Sequence, residues 1–123
     1  NRGGLAGVGG VAGLRPAGES TGRRADVVPG TRGRKSASPR FIDAVDRHAR
    51  ARGWSVRHDE PYAGGFTTQH YGRPGDRVHA VQLELSRYLY LDEETLRPLA
   101  TFSNVRAWCR DLVASLGSLA QTA

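Results

Sequence analysis

The chain has 123 residues, with 18 Lys and Arg against 12 Asp and Glu, a single cysteine and a hydrophobic fraction of 38%. That length suits one domain and is short for two. One cysteine cannot close an internal disulfide or build a cysteine-rich zinc site. No apolar run approaches the about 18 residues that a membrane-spanning helix needs. A soluble chain in a reducing, cytoplasmic setting is expected.

The N-terminal third differs from the rest. Ten of the 16 glycines lie in residues 1–33. The formal charge of +6 also resides there: Arg2, Arg15, Arg23, Arg24, Arg32, Arg34, Lys35 and Arg40 face only Glu19 and Asp26, and the remainder is neutral. The stretch at residues 3–14 is too glycine-rich for the apolar core of a signal peptide. Residues 1–37 therefore read as an irregular, flexible Gly/Arg-rich segment, and residues 38–123 as the folded portion. A basic arm can neutralise phosphates without reading sequence. No aromatic residue precedes Phe41 on which a base would stack, so nucleic acid is not the expected partner.

From residue 38 the signals sharpen. Ser38 suits an N-cap, Pro39 the first helical turn, and Ile42, Val45 and Ala49 recur at helical spacing, which predicts an amphipathic helix over 39–52 closed by Gly53. Asp43/Arg47 and Asp46/Arg50 are i,i+4 pairs on its solvent face. Trp54, Val56 and His58 alternate with Ser55 and Arg57, which predicts a short strand ending before Pro61. Residues 78–85 form the strongest strand pattern. His79, Val81, Leu83 and Leu85 share one face, and Val78, Ala80, Gln82 and Glu84 the other. Pro98 can open a long helix whose stripe of Val105, Trp108, Cys109, Leu112, Leu116 and Leu119 is core, closing near Gly117 or just beyond. Cys109 belongs to that stripe and is not expected to be a catalytic thiol.

Between the two strand patterns lies PYAGGFTTQHYGRPGDR, residues 61–77, dense in glycine and hydrogen-bonding side chains. A binding loop needs such residues, and a glycine-rich loop satisfying only its own backbone would also contain them. The phosphate-loop spacing is absent. His48, His58, His70 and His79 show no i,i+4 pair, and no metal ligands are recognisable by spacing.

Residues 61–93, PYAGGFTTQHYGRPGDRVHAVQLELSRYLYLDE, resemble the C-terminal signature of the N-formylglutamate amidohydrolase family, in which P-Y-x-G-G-x-x-T-R-H-Y-G-R-P precedes V-H-A-L-Q-L-E and L-Y-M-D-E. Residues 20–56 also resemble the segment that follows the family's D-C-H-S-M motif, giving a resemblance over about residues 20–120. It implies an α/β fold: part of a three-layer α/β/α zinc-carboxypeptidase-like (phosphorylase/hydrolase-like) domain. It also implies zinc-assisted hydrolysis of the formamide of N-formyl-L-glutamate, a step of histidine degradation.

Carried over by position, Glu84 falls on the family's strand-borne Glu, the expected general base. His70, Tyr71 and Arg73 fall on H-Y-G-R-P and Gln82 on the family's Gln, as substrate-binding groups; Arg73 is the expected carboxylate clamp. His79 matches the His of V-H-A.

Three departures stand beside these matches. Gln69 replaces the Arg before His-Tyr-Gly, Thr31 replaces the acid of L-G-D-R-F-G, and Pro16 stands where the family's histidine would lie. Zinc is implied by the family, but its ligands are not recognisable in this chain. The expected partners are a small-molecule substrate and the N-terminal half of the same domain, without which the active site is incomplete and the chain alone inactive. The alternative is a non-catalytic, basic-tailed α/β module for protein interaction or polyanion binding.

Overall fold

The computed structural model describes residues 24–121. Pro16, Ser20 and most of the glycine-rich segment, with Arg2, Arg15 and Arg23 of its basic groups, lie outside the described residues, as does the greater part of the basic arm that the alternative, polyanion-binding module would use.

In chain order the elements are β1 (Val27–Gly30), α1 (Pro39–Arg50), α2 (Phe66–Tyr71), β2 (Gln82–Leu85) and α3 (Phe102–Gln121). Single 3-10 turns occupy Pro74–Asp76 and Arg87–Leu89. The helix at 39–52 is observed as α1. Its Ser38 is extended and its carbonyl takes the first N–H bonds, from Phe41 at 3.1 Å and Ile42 at 3.3 Å. Arg47, His48 and Arg50 occupy the last turn, where positive charge suits the helix dipole. Gly53 closes the end with φ +77°, a conformation in which a side chain is strained.

The expectation of irregular chain through residue 37 is corrected at β1. Val27–Gly30 is a buried strand paired antiparallel with β2, in the register Val27↔Leu85, Val28↔Glu84, Pro29↔Leu83 and Gly30↔Gln82. Its other edge takes bonds from the 54–58 region: Val27 N to Ser55 O at 3.0 Å, Arg57 N to Val27 O at 3.1 Å and Asp59 N to Pro29 O at 3.0 Å. The strand expected over 54–58 is nonetheless only an isolated parallel bridge at Val56. Pro29 accepts from Asp59 but has no N–H to donate to the same segment, so the bridge at Val56 stays isolated.

The strand expected over 78–85 is shorter too. Only Gln82–Leu85 face β1, while Val78 pairs with Arg73 and Ala80 N bonds to Ser36 O at 2.9 Å. The alternation itself holds: Leu83 is core, Val81 and Leu85 pack against it, and His79 stacks on Phe41 at 4.2 Å. α3 begins at Phe102, not at Pro98. Asp92 accepts the N–H of Glu94 at 2.9 Å and of Thr95 at 3.1 Å, closing a turn that pairs Leu91 with Pro98 before the helix can start.

α1 packs against β1 and α3 against α1, and the core they share is Val27, Ala37, Phe41, Ile42, Val45, Ala49, Leu83, Trp108, Leu112 and Leu116. Trp108 donates its indole N–H to His48 O at 3.0 Å and meets the Trp54 ring edge-on at 4.8 Å. Cys109 packs against this cluster, and burial pushes its thiol up, which disfavours the reactive thiolate. Among the described residues no helix is long and apolar enough to cross a membrane.

Candidate active site

Glu84 is 8% exposed, a carboxylate on a strand otherwise committed to the core. A buried carboxylate needs a donor, and Gln82, two residues back on the same face, supplies it: Nε2 donates to Glu84 Oε1 at 2.8 Å. The Gln82 Oε1 in turn accepts the backbone N–H of Gly65 at 2.7 Å. Gly65 is the N-cap of α2, so one unbroken hydrogen-bonded path joins the carboxylate to the element that carries His70 and Tyr71.

Glycine makes that approach possible. Gly30 lies opposite Gln82 in the register, and a Cβ on it would sit 2.7 Å from Gly64 N and 3.0 Å from the Ala63 carbonyl carbon. With no side chain at Gly30, residues 63–65 close on the end of β1, and Arg32 N bonds to Ala63 O at 2.7 Å. Thr68, buried beneath α2, returns its hydroxyl to Gly65 O at 2.7 Å.

His70 and Tyr71 lie on the exposed face of α2. His70 stacks on Phe66 at 4.9 Å and meets Tyr71 edge-on at 4.7 Å, with Phe66 72% and Tyr71 52% exposed. Gln69 is also exposed on α2. Arg73 is held by its backbone in a bridge to Val78, and among the described residues its exposed guanidinium has no ion-pair partner. The structure thus brings Gln82 and Glu84 into contact and links them to α2. Among the described residues it places no hydrogen bond between Glu84 and His70, Tyr71 or Arg73.

His79 is engaged with α1 and its N-cap. Its Nδ1 accepts the Ser38 N–H at 3.0 Å, which leaves the ring's proton on Nε2 in the neutral form. Burial, aided by the Arg40 charge, holds its pKa below the ordinary value. Thr31, at the family's acid position, is fully buried: its N–H donates to Asp59 Oδ1 at 2.7 Å and its hydroxyl to both Asp59 oxygens, at 3.2 and 3.3 Å. Sequence reasoning missed the Gly65 and Asp59 links. The Gly64-Gly65 doublet is the only signal that marked the first, and nothing in the sequence marked the second.

Among the described residues no three His, Cys, Asp or Glu side chains converge on a point that could hold a metal ion. A cleft of about 230 Å³ lies between the end of α1 and α3, lined by His48, Arg52, Asn104, Trp108 and Asp111, and it includes none of the candidate site residues.

The fold and site define a mixed α/β unit with a buried strand carboxylate tied by a side-chain amide to a glycine-rich, ring-bearing loop. The family model for N-formylglutamate amidohydrolase matches residues 12–91. N-formylglutamate deformylase of Pseudomonas aeruginosa is 37% identical over 100 residues, covering 77% of this chain and 37% of that protein. N-formylglutamate deformylase of Pseudomonas putida is 44% identical over 45 residues, 37% of this chain and 17% of that protein. The crystal structure of N-formylglutamate amidohydrolase from Ralstonia eutropha JMP134 superposes with a TM-score of 0.77 at 28% identity, over 85% of this chain and 37% of that one. This chain belongs to the N-formylglutamate amidohydrolase family. It spans little more than a third of the length of the Pseudomonas aeruginosa relative.

Proposed function

We propose that this chain supplies the general-base part of a metal-dependent amidohydrolase site that releases formate from N-formyl-L-glutamate, in a cytoplasmic histidine-degrading context. The observation that carries the reading is Glu84: a buried carboxylate on β2, held by Gln82 and tied to the family's glycine-rich loop. A buried carboxylate placed beside a binding loop is suited to general-base work. In the reaction Glu84 takes a proton from water, whose oxygen bonds to the formyl carbon. The C–N bond then breaks and the proton passes to the leaving nitrogen, giving formate and glutamate. Arg73 clamps a substrate carboxylate, and His70 and Tyr71 orient the substrate or its oxyanion.

The described residues do not fit a zinc site, because no donor set of three converges. The zinc ligands of the proposed site lie outside residues 24–121, in the remainder of a three-layer zinc-carboxypeptidase-like domain. The chain alone is then inactive, and its partner is that remainder.

The test is formate release from N-formyl-L-glutamate by the 123-residue chain, alone and mixed with the N-terminal part of the Pseudomonas aeruginosa relative, with and without zinc. The mixture with zinc is expected to be active and the chain alone inactive. Glu84→Gln in the mixture is expected to lower kcat by a factor of about 100 or more. Full activity of that variant would remove Glu84 from the role of base.

A further inference from the structure

We infer that Gln82 is a positioning residue that clamps the Glu84 carboxylate to the start of α2, so that the base and the ring-bearing loop are held as one unit. The inference rests on Glu84 being the base proposed above, and it gives Gln82 a role distinct from direct substrate binding.

The direction of the clamp follows from which groups can donate. A backbone N–H can only donate, so the Gln82 oxygen must face Gly65, 2.7 Å away. The amide nitrogen is then turned to Glu84 Oε1, 2.8 Å away. The flipped amide would oppose two donors at Gly65 and two acceptors at Glu84. One side chain thus reads the loop with its oxygen and holds the carboxylate with its nitrogen. A purely structural tie needs only the Gly65 bond; the second bond fixes one carboxylate oxygen and leaves Oε2 to meet the reacting water. Two glycines set the reach: a Cβ at Gly30 would strike Gly64, and a Cβ at Gly65 would lie 3.3 Å from Gln82 Oε1.

The experiment uses the ¹⁵N-labelled 123-residue chain and reads the Gln82 side-chain amide resonances and the exchange rate of the Gly65 N–H. Glu84→Gln is expected to move the Gln82 side-chain resonances, because a neutral amide replaces a charged acceptor, and to leave Gly65 protected. Gln82→Leu is expected to speed Gly65 exchange about tenfold or more. Gln82→Glu retains an acceptor for Gly65 and loses the donor to Glu84. Its Gly65 N–H is expected to stay protected while kcat in the complemented reaction falls about tenfold with KM within about twofold. Unmoved Gln82 resonances in Glu84→Gln, or unchanged Gly65 exchange in Gln82→Leu, would overturn the clamp. Full activity of Glu84→Gln in the complemented reaction would overturn the reading of Glu84 as base and leave the spectral test of the clamp standing, so the two failures are told apart. Should Gln82→Leu fail to fold, the Glu84→Gln spectrum decides alone.

Discussion

The helical layer and the loop at residues 62–77 are built on opposite terms. In the first, α1 packs on β1 and α3 on α1 around one cluster of aliphatic and aromatic groups, with Ile42, Val27 and Ala49 wholly excluded from solvent. In the second, His70 stacks on Phe66 and meets Tyr71 edge-on while all three face outward, and the loop is fastened to β2 and to the segment after β1 by hydrogen bonds at Gly65 and Ala63. The helical layer draws its stability from burial, which is tolerant of backbone detail and sensitive to volume. The loop draws its position from glycine backbone and a few directed bonds, which are tolerant of side-chain volume and sensitive to a Cβ added at Gly64 or Gly72. Stability and site geometry are therefore carried by different residues.

If that division holds, the largest effect comes from a volume change in the helical layer. Ile42→Ala removes a fully buried side chain at the centre of the core, and it is expected to destabilise the chain by about 2–5 kcal/mol. Urea unfolding followed by circular dichroism measures this. A loss below about 1 kcal/mol would mean that α1 is not anchored as described.

A smaller stability loss with a larger geometric one is expected at Gly30→Ala. The new methyl would meet the backbone of Ala63 and Gly64 at 2.7–3.0 Å, and backbone cannot swing aside as the end of a side chain can. Overpacking of this kind costs about 1–3 kcal/mol. The signature is local: amide exchange at Arg32 and Gly65, whose bonds cross this contact, should accelerate more than that of Val45 or Leu112 in the helices. Uniform acceleration across the chain would erase the distinction between the two regions.

The same division explains what could be read from the sequence. α1 was legible because Ser38-Pro39 marks its start and Ile42, Val45 and Ala49 its buried face, and the α3 stripe was legible for the same reason. Both depend on neighbours within one element. β1 was not legible: VVPG reads as a turn, since proline and glycine argue against a paired strand, and its partner β2 lies more than 50 residues away. Pro29 is tolerated because it needs only to accept, from Asp59 N at 3.0 Å. The start of α3 was misplaced because Pro98 suits a first turn in isolation, and only the Asp92 cap claims that segment for a different turn. At the site, Glu84 and Gln82 were marked by the family pattern and by two polar groups on an apolar strand. The Gly65 bond between them and α2 joins residues 17 apart, and no local periodicity encodes it.

The smallest effect sharpens the comparison most, because it falls on a large aromatic residue. Phe66 is 72% exposed and stacks on the His70 ring. Burial arithmetic assigns an exposed phenyl almost none of the about 1.5–3 kcal/mol that a buried one would contribute. Phe66→Ser should therefore change the stability of the chain by less than about 0.5 kcal/mol, against several for Ile42→Ala, although phenylalanine is the bulkier side chain. The same urea series checks both. A loss at Phe66 comparable to that at Ile42 would mean that the ring cluster is part of the core. A negligible loss, with formate release in the complemented mixture reduced, would mean that the cluster serves substrate or the remainder of the domain.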